Sequence, residues 1–127
     1  MVNDYYGESE IGMTLDEYQD LAIESAIYDP AFSILYPSLK LAGEAGEVSE
    51  KVGKRLRDYE GDFTDPEWQD ALAKELGDVL WYVAEICSVL QLDMEEVAEA
   101  NVKKLKKRYP DGFSKERSVN RAIYAKY

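Results

Sequence analysis

Apolar residues recur at intervals of three and four along most of the chain, and no stretch shows the two-residue alternation of a half-buried strand. The pattern predicts an all-α fold of four main helices, preceded by a polar, tyrosine-bearing N-terminal arm over residues 1–13. Thr14 and Glu17 form a T-x-x-E capping box, in which each side chain satisfies a backbone donor that a helix start leaves free. The first helix therefore opens there and runs through Leu15, Tyr18, Ala22 and Ile23 to about Tyr28, where Asp29-Pro30 stops it. The second carries Pro37 in its first turn, where a missing N–H costs little, and an apolar stripe of Leu41, Ala45, Val48, Val52 and Leu56. After the acidic turn Asp58 to Asp65, an Asp65 cap followed by Pro66 opens the third helix, which extends to about Leu90. Its stripe is Leu72, Leu76, Val79, Leu80, Val83, Ile86, Cys87 and Leu90. Asp93 and Glu96 make a second capping box, and the fourth helix ends at Tyr109-Pro110. A basic C-terminal tail over residues 111–127 follows, and the whole chain is expected to be a single domain.

The acidic residues that border two of these stripes change the picture. Glu44 and Glu47 stand three apart on the second helix, and Glu75 and Asp78 three apart on the third. Residues at that spacing share a helical face, so two such helices side by side can bring the four carboxylates to one volume. Like charges gathered in a partly desolvated groove are costly and raise one another's pKa unless a cation shares them. Hard oxygen ligands of this kind suit Mg2+ or Mn2+. A single acidic pair is usually a solvated face, but such a face carries interleaved lysines, as Glu95 to Lys107 does, whereas both pairs here sit among small or apolar neighbours.

The basic residues offer complementary chemistry. Asn101, Lys104 and Arg108 align on one face of the fourth helix, and Lys51 and Lys54 lie one and two turns beyond Glu47. Helix C-termini favour cations in any case, yet beside an acidic site these groups would give phosphate oxygens a cationic wall. Tyr82 falls on the flank of Asp78, although aromatics such as Tyr82, Tyr18, Phe32, Trp68 and Trp81 are more often core residues than base-stacking surfaces. Gly43, Gly46 and Gly53 each weaken a helix by up to about 1 kcal/mol relative to alanine. Their use would be close approach of another helix or of a ligand.

Composition sets outer bounds. The formal charge of -11, from 26 acidic and 15 basic residues, argues against nucleic-acid binding through a basic surface but leaves room for a small phosphate ligand. The absence of histidine removes His-based triads, histidine zinc sites and imidazole acid–base chemistry. The one cysteine, Cys87, reads as a small buried hydrophobe. No basic segment with a following apolar run opens the sequence, and no apolar run approaches a membrane span, so a cytoplasmic protein is expected.

Glu44-x-x-Glu47 followed by Glu75-x-x-Asp78 resembles the signature of the all-α nucleoside triphosphate pyrophosphohydrolases. The blocks LAGEAGEVSEKV, KELGDVLWYVAEI and EEVAEANVKKLKKRYPDGF resemble the MazG-like branch, over roughly Thr14 to Arg121. The resemblance implies a helical bundle completed by dimerisation, often as a tetramer built from two dimers, with the active site in a groove near a subunit interface. It implies Mg2+ held by Glu44, Glu47, Glu75 and Asp78, with Mn2+ able to substitute, and water attack at the α-phosphorus that releases a nucleoside monophosphate and pyrophosphate. One glutamate, Glu47 by position, would orient or deprotonate the water. Asn101, Lys104 and Arg108 match the N-x-x-K-x-x-x-R positions that contact substrate, and Lys51, Lys54 and Tyr82 border the same groove. Arg121, in SVNR, resembles a tail motif that reaches a neighbouring site.

Within that superfamily a dedicated dUTP, dCTP or phosphoribosyl-ATP enzyme is the nearest rival, and a purine deoxynucleotide such as dGTP is a first guess at the substrate. A di-iron carboxylate bundle would need Glu-x-x-His elements that a chain without histidine cannot supply. From another class, a non-catalytic helical regulatory protein would carry the same acids as mere flanks of its core. A bacterial and a phage origin fit the sequence equally.

Overall fold

The computed structural model describes residues 12–120. These residues are all-helical, with no strand among them. The order is α1 (Leu15–Glu24), a short 3-10 turn (Pro30–Phe32), α2 (Leu35–Asp58), α3 (Pro66–Val89), α4 (Met94–Arg108) and α5 (Lys115–Val119). Helices α2 and α3 form a long antiparallel pair, and α1 packs across α3 with α4 against it. Most of the expected N-terminal arm and the last residues of the tail lie outside the described residues.

Helix α1 begins as its capping box dictates. The Thr14 hydroxyl accepts from the Glu17 N–H at 3.1 Å, and the Thr14 N–H donates to Glu17 Oε2 at 2.7 Å. The helix ends at Glu24, short of the expected Tyr28. The cause is Ser25, whose Oγ lies 2.9 Å from the Ala22 carbonyl and accepts from Trp81 Nε1 at 2.9 Å. These contacts turn the chain, and Asp29 Oδ1 then accepts from the Ala31 N–H at 2.9 Å to start the 3-10 turn. Helix α5, which has no strong apolar period, arises from a Ser114 cap whose Oγ accepts from the Arg117 N–H at 3.4 Å.

Asp65 and Asp93 stand at the N-cap positions of α3 and α4 as expected, but neither accepts the expected hydrogen bond through its side chain. For α4 the work passes to α1: the Met94 N–H donates to Gln19 Oε1 at 2.9 Å, and the Glu95 N–H to Asp16 Oδ1 at 3.2 Å. Buried Gln19 also donates through Nε2 to the Leu92 carbonyl at 2.7 Å and to Ser88 Oγ at 3.1 Å. One side chain thus holds the α3–α4 turn and the α4 N-terminus to α1. In that turn Gln91 takes a left-handed conformation, φ 57°, while the Leu92 N–H donates to the Cys87 carbonyl at 2.8 Å, which closes the end of α3.

The interior is small. Among the described residues, Ala22, Ala84, Cys87 and Met94 form its buried apolar cluster, with Leu15, Tyr18, Trp81 and Val83 packed around them. Cys87 behaves as expected, a buried free thiol whose pKa burial raises. The stripes depart from expectation. Ala84 and Glu85, which no stripe included, are buried, while Leu76, Leu80, Leu90, Val52 and Leu56 remain exposed. A Cβ added at Gly43 or Gly46 would meet nothing within 4 Å, so no helix among the described residues uses the space these glycines leave.

Candidate active site between α2 and α3

The antiparallel pairing of α2 and α3 sets which acids meet. Ligand-capable oxygens of Glu44, Glu75 and Asp78 all lie within 4.8 Å of one another. Glu47 joins the set from the next turn of α2. Its carboxyl is held above the usual range by the charge of Glu44, then by the charge of Glu75 and a hydrogen bond with it. A carboxyl whose pKa is raised mainly by other carboxyls records negative charge that the neighbouring cations only partly offset. The donor set, all carboxylate oxygen on two rigid helices, fits a hard divalent cation and would not favour a soft one.

Lysines border the acids on both sides. Lys51 Nζ lies 3.4 Å from Glu75 Oε1, and Lys40 Nζ lies 3.6 Å from Glu44 Oε1. Lys40 also sits 5.9 Å above the Tyr82 ring, and Tyr82 and Glu44 together raise its pKa. Lys40 did not stand out as a candidate in the sequence. The available signal was its position four residues before Glu44, the ordinary spacing of a helical ion pair. From α1, the Tyr18 hydroxyl donates to the Gly77 carbonyl at 3.3 Å, beside Asp78, and burial followed by the Asp78 charge raises its pKa.

The groove continues in both directions from the acids. Toward the C-terminus of α2, Glu47, Lys51, Lys54, Trp68 and Glu75 line a recess of about 250 Å3. Arg55 closes that end, stacked 4.4 Å from the Tyr59 ring and paired with Asp65 at 3.6 Å. Lys54 is drawn to Glu50 at 2.8 Å. In the other direction, Tyr82 leads into a cleft that Tyr28, Tyr36, Trp81 and Glu85 also line.

The three candidates on α4 do not join this groove within one chain. Asn101 and Lys104 line a separate apolar groove with Leu15, Leu80, Val83 and Val97. Arg108 lies at the end of α4, where its carbonyl accepts from Arg117 Nη1 at 3.0 Å and its Nε is buried without a hydrogen-bond partner among the described residues. Arg121 lies outside the described residues.

A helical hairpin that sets Glu44, Glu75 and Asp78 together, with Glu47 one turn away and lysines on either side, offers a class of chemistry: a hard divalent cation and a phosphate-bearing ligand could be held there. Comparison narrows the class. The family model for the MazG nucleotide pyrophosphohydrolase domain matches residues 35–113, and the chain belongs to that family. The chain is also similar to the Gene 37 protein of Mycobacterium phage L5, 41% identical over 106 residues that span 79% of this chain and 92% of that protein. No solved structure matches it.

Proposed function

We propose that this protein hydrolyses a nucleoside triphosphate to the monophosphate and pyrophosphate, with water attacking the α-phosphorus. The observation that carries the reading is the convergence of Glu44, Glu75 and Asp78 within 4.8 Å in a chain of the MazG family. Together with Glu47 they would hold Mg2+, for which Mn2+ can substitute. Such an ion, when bound, neutralises charge on the phosphoryl oxygens and leaving group and lowers the pKa of water.

The chain's own groups do the rest. Glu47, on the turn of α2 after Glu44, takes the proton from the attacking water. As the water oxygen bonds to the α-phosphorus, the bond to the bridging oxygen of pyrophosphate breaks. Lys51 and Lys54 face the phosphates that leave, where charge-assisted hydrogen bonds are strongest. Tyr82 marks the side on which the nucleoside lies.

Asn101, Lys104 and Arg108 enter this scheme across a subunit boundary. The exposed Leu76, Leu80, Val97, Val102 and Leu105 on α3 and α4, set against a small interior, favour a homo-oligomer, and a dimer of dimers fits the family. Assembly would bring these groups to a neighbouring groove. No helix among the described residues is long and apolar enough to cross a membrane, and we place the protein in the cytoplasm. Its substrate would be a deoxynucleotide, with a purine such as dGTP favoured.

A panel of the common ribo- and deoxyribonucleoside triphosphates, with and without Mg2+, tests the reading. Metal-dependent release of monophosphate and pyrophosphate is expected. Diphosphate with phosphate would overturn the α-phosphorus assignment, and silence from every nucleotide, phosphoribosyl-ATP included, would favour a non-catalytic helical protein.

A further inference from the structure

The cleft beyond Tyr82 has a volume of about 260 Å3 and aromatic walls, Tyr28, Tyr36, Trp81 and Tyr82, around one buried acid. Tyr28 and Tyr36 are already stacked, with ring centroids 5.0 Å apart at 31°. The acid is Glu85, whose residue is only 2% exposed. Its surroundings do not satisfy it. Neither Glu85 Oε2 nor the Tyr28 hydroxyl has a well-formed hydrogen bond among the described residues, although the hydroxyl faces the carboxyl closely enough to lower the acid's pKa while its own is raised. Glu85 Oε1 lies 3.2 Å from Ser25 Oγ, but that hydroxyl has one proton and a nearer acceptor, the Ala22 carbonyl at 2.9 Å. Trp81 Nε1 donates to the Ser25 oxygen and brings nothing to the carboxyl. One oxygen of a buried carboxyl thus shares its donor with a backbone carbonyl and the other has no well-formed bond among the described residues, an arrangement that costs stability unless a ligand supplies further donors.

The place of this acid limits what that ligand can be. Asp78, Tyr82 and Glu85 follow one another at four and three residues along α3, so they lie on one face. Seven residues of helix advance about 10 Å, a span that a nucleoside bridges from its phosphate to the outer edge of its base. Aromatic walls suit a base by stacking, and among bases guanine presents two adjacent N–H donors, N1–H and N2–H, on one edge. A carboxylate offers two adjacent acceptors and no donor.

We propose that Glu85 reads the N1–H and N2–H edge of guanine in this cleft and so determines the base specificity of the enzyme. The inference rests on the pyrophosphohydrolase reading and extends it to a residue outside the acidic cluster. Burial raises the Glu85 pKa, and two N–H donors from the base would favour its ionised form.

The test compares kcat/KM for dGTP, dITP and dATP in the wild type and in Glu85→Gln, with Mg2+ present. Hypoxanthine lacks only the N2 amino group, so the wild type is expected to prefer dGTP to dITP by about tenfold or more, the scale of a lost bidentate base contact. A glutamine amide has one donor and one acceptor, which matches adenine instead. In Glu85→Gln the dGTP/dITP ratio is expected to fall toward one, with dATP gaining on dGTP. Equal use of dGTP and dITP by the wild type overturns the proposal whether or not the variant folds. An unchanged ratio in a folded Glu85→Gln also overturns it. In both cases turnover itself leaves the hydrolase reading standing, whereas no turnover of any triphosphate defeats both.

Discussion

Glu44→Gln and Asp78→Asn are each expected to abolish turnover while leaving the chain folded. Each substitution removes one charge from the carboxylate set and keeps its shape. Losing a single fixed electrostatic stabiliser of a transition state slows enzymes by about a hundred- to a thousandfold, and a carboxylate that also holds the cation should cost at least that much. The same variants should move stability in the opposite direction. Without metal, Glu44, Glu75 and Asp78, whose oxygens lie within 4.8 Å of one another, repel one another and Glu47 beside them. Removing a charge relieves that repulsion, so each variant should unfold at higher urea than the wild type in chelated buffer. Added Mg2+ should stabilise the wild type by mass action, by about 2.7 kcal/mol at a hundredfold excess over its dissociation constant, and should stabilise the variants much less. Circular dichroism, urea titration and pyrophosphate release on the same preparations decide the matter. Retained activity in both variants would sink the site assignment.

Gln19→Leu is expected to be among the most destabilising single changes in the molecule. Leucine fills the volume but offers no hydrogen bonds, leaving the Leu92 carbonyl and the Met94 N–H without the partners they now have at 2.7 and 2.9 Å. An unsatisfied buried polar group costs about 1–3 kcal/mol, so a loss of about 3 kcal/mol is expected in urea unfolding. Ser88→Ala removes only the 3.1 Å bond from Gln19 Nε2 and should cost about 1 kcal/mol. Equal losses in the two variants would show that Gln19 acts by packing alone.

The sequence displays the long helices and the acidic pairs plainly because both are local patterns. Glu44 with Glu47 and Glu75 with Asp78 are visible at helical spacing, and the antiparallel hairpin needs only a short turn to bring Glu44, Glu75 and Asp78 together. What it hides is non-local. The end of α1 depends on Ser25 meeting Trp81, and the α4 cap comes from Gln19 and Asp16 in place of Asp93. Glu85 carries no local sign of its burial, because a glutamate between alanine and isoleucine reads as a solvent-facing break in the stripe. Leu76 and Leu80 err the other way: periodicity marks them as apolar-face residues, but whether the covering surface belongs to the same chain is not written in their spacing.

The docking of α1 has a consequence for the order in which the molecule assembles. The bonds from Gln19 to Ser88 and Met94 close sequence separations of 69 and 75 residues, whereas α2 and α3 are joined by a turn of a few residues. The entropy of loop closure rises with the length enclosed, so contacts within the hairpin form before the long-range ones. The carboxylates belong wholly to that early hairpin. The cleft around Glu85 needs Ser25 and Tyr28, which arrive only when the N-terminal segment folds back. A chain emerging from its unfolded state would gain the means to attract a divalent ion first, and the means to tell one base from another last.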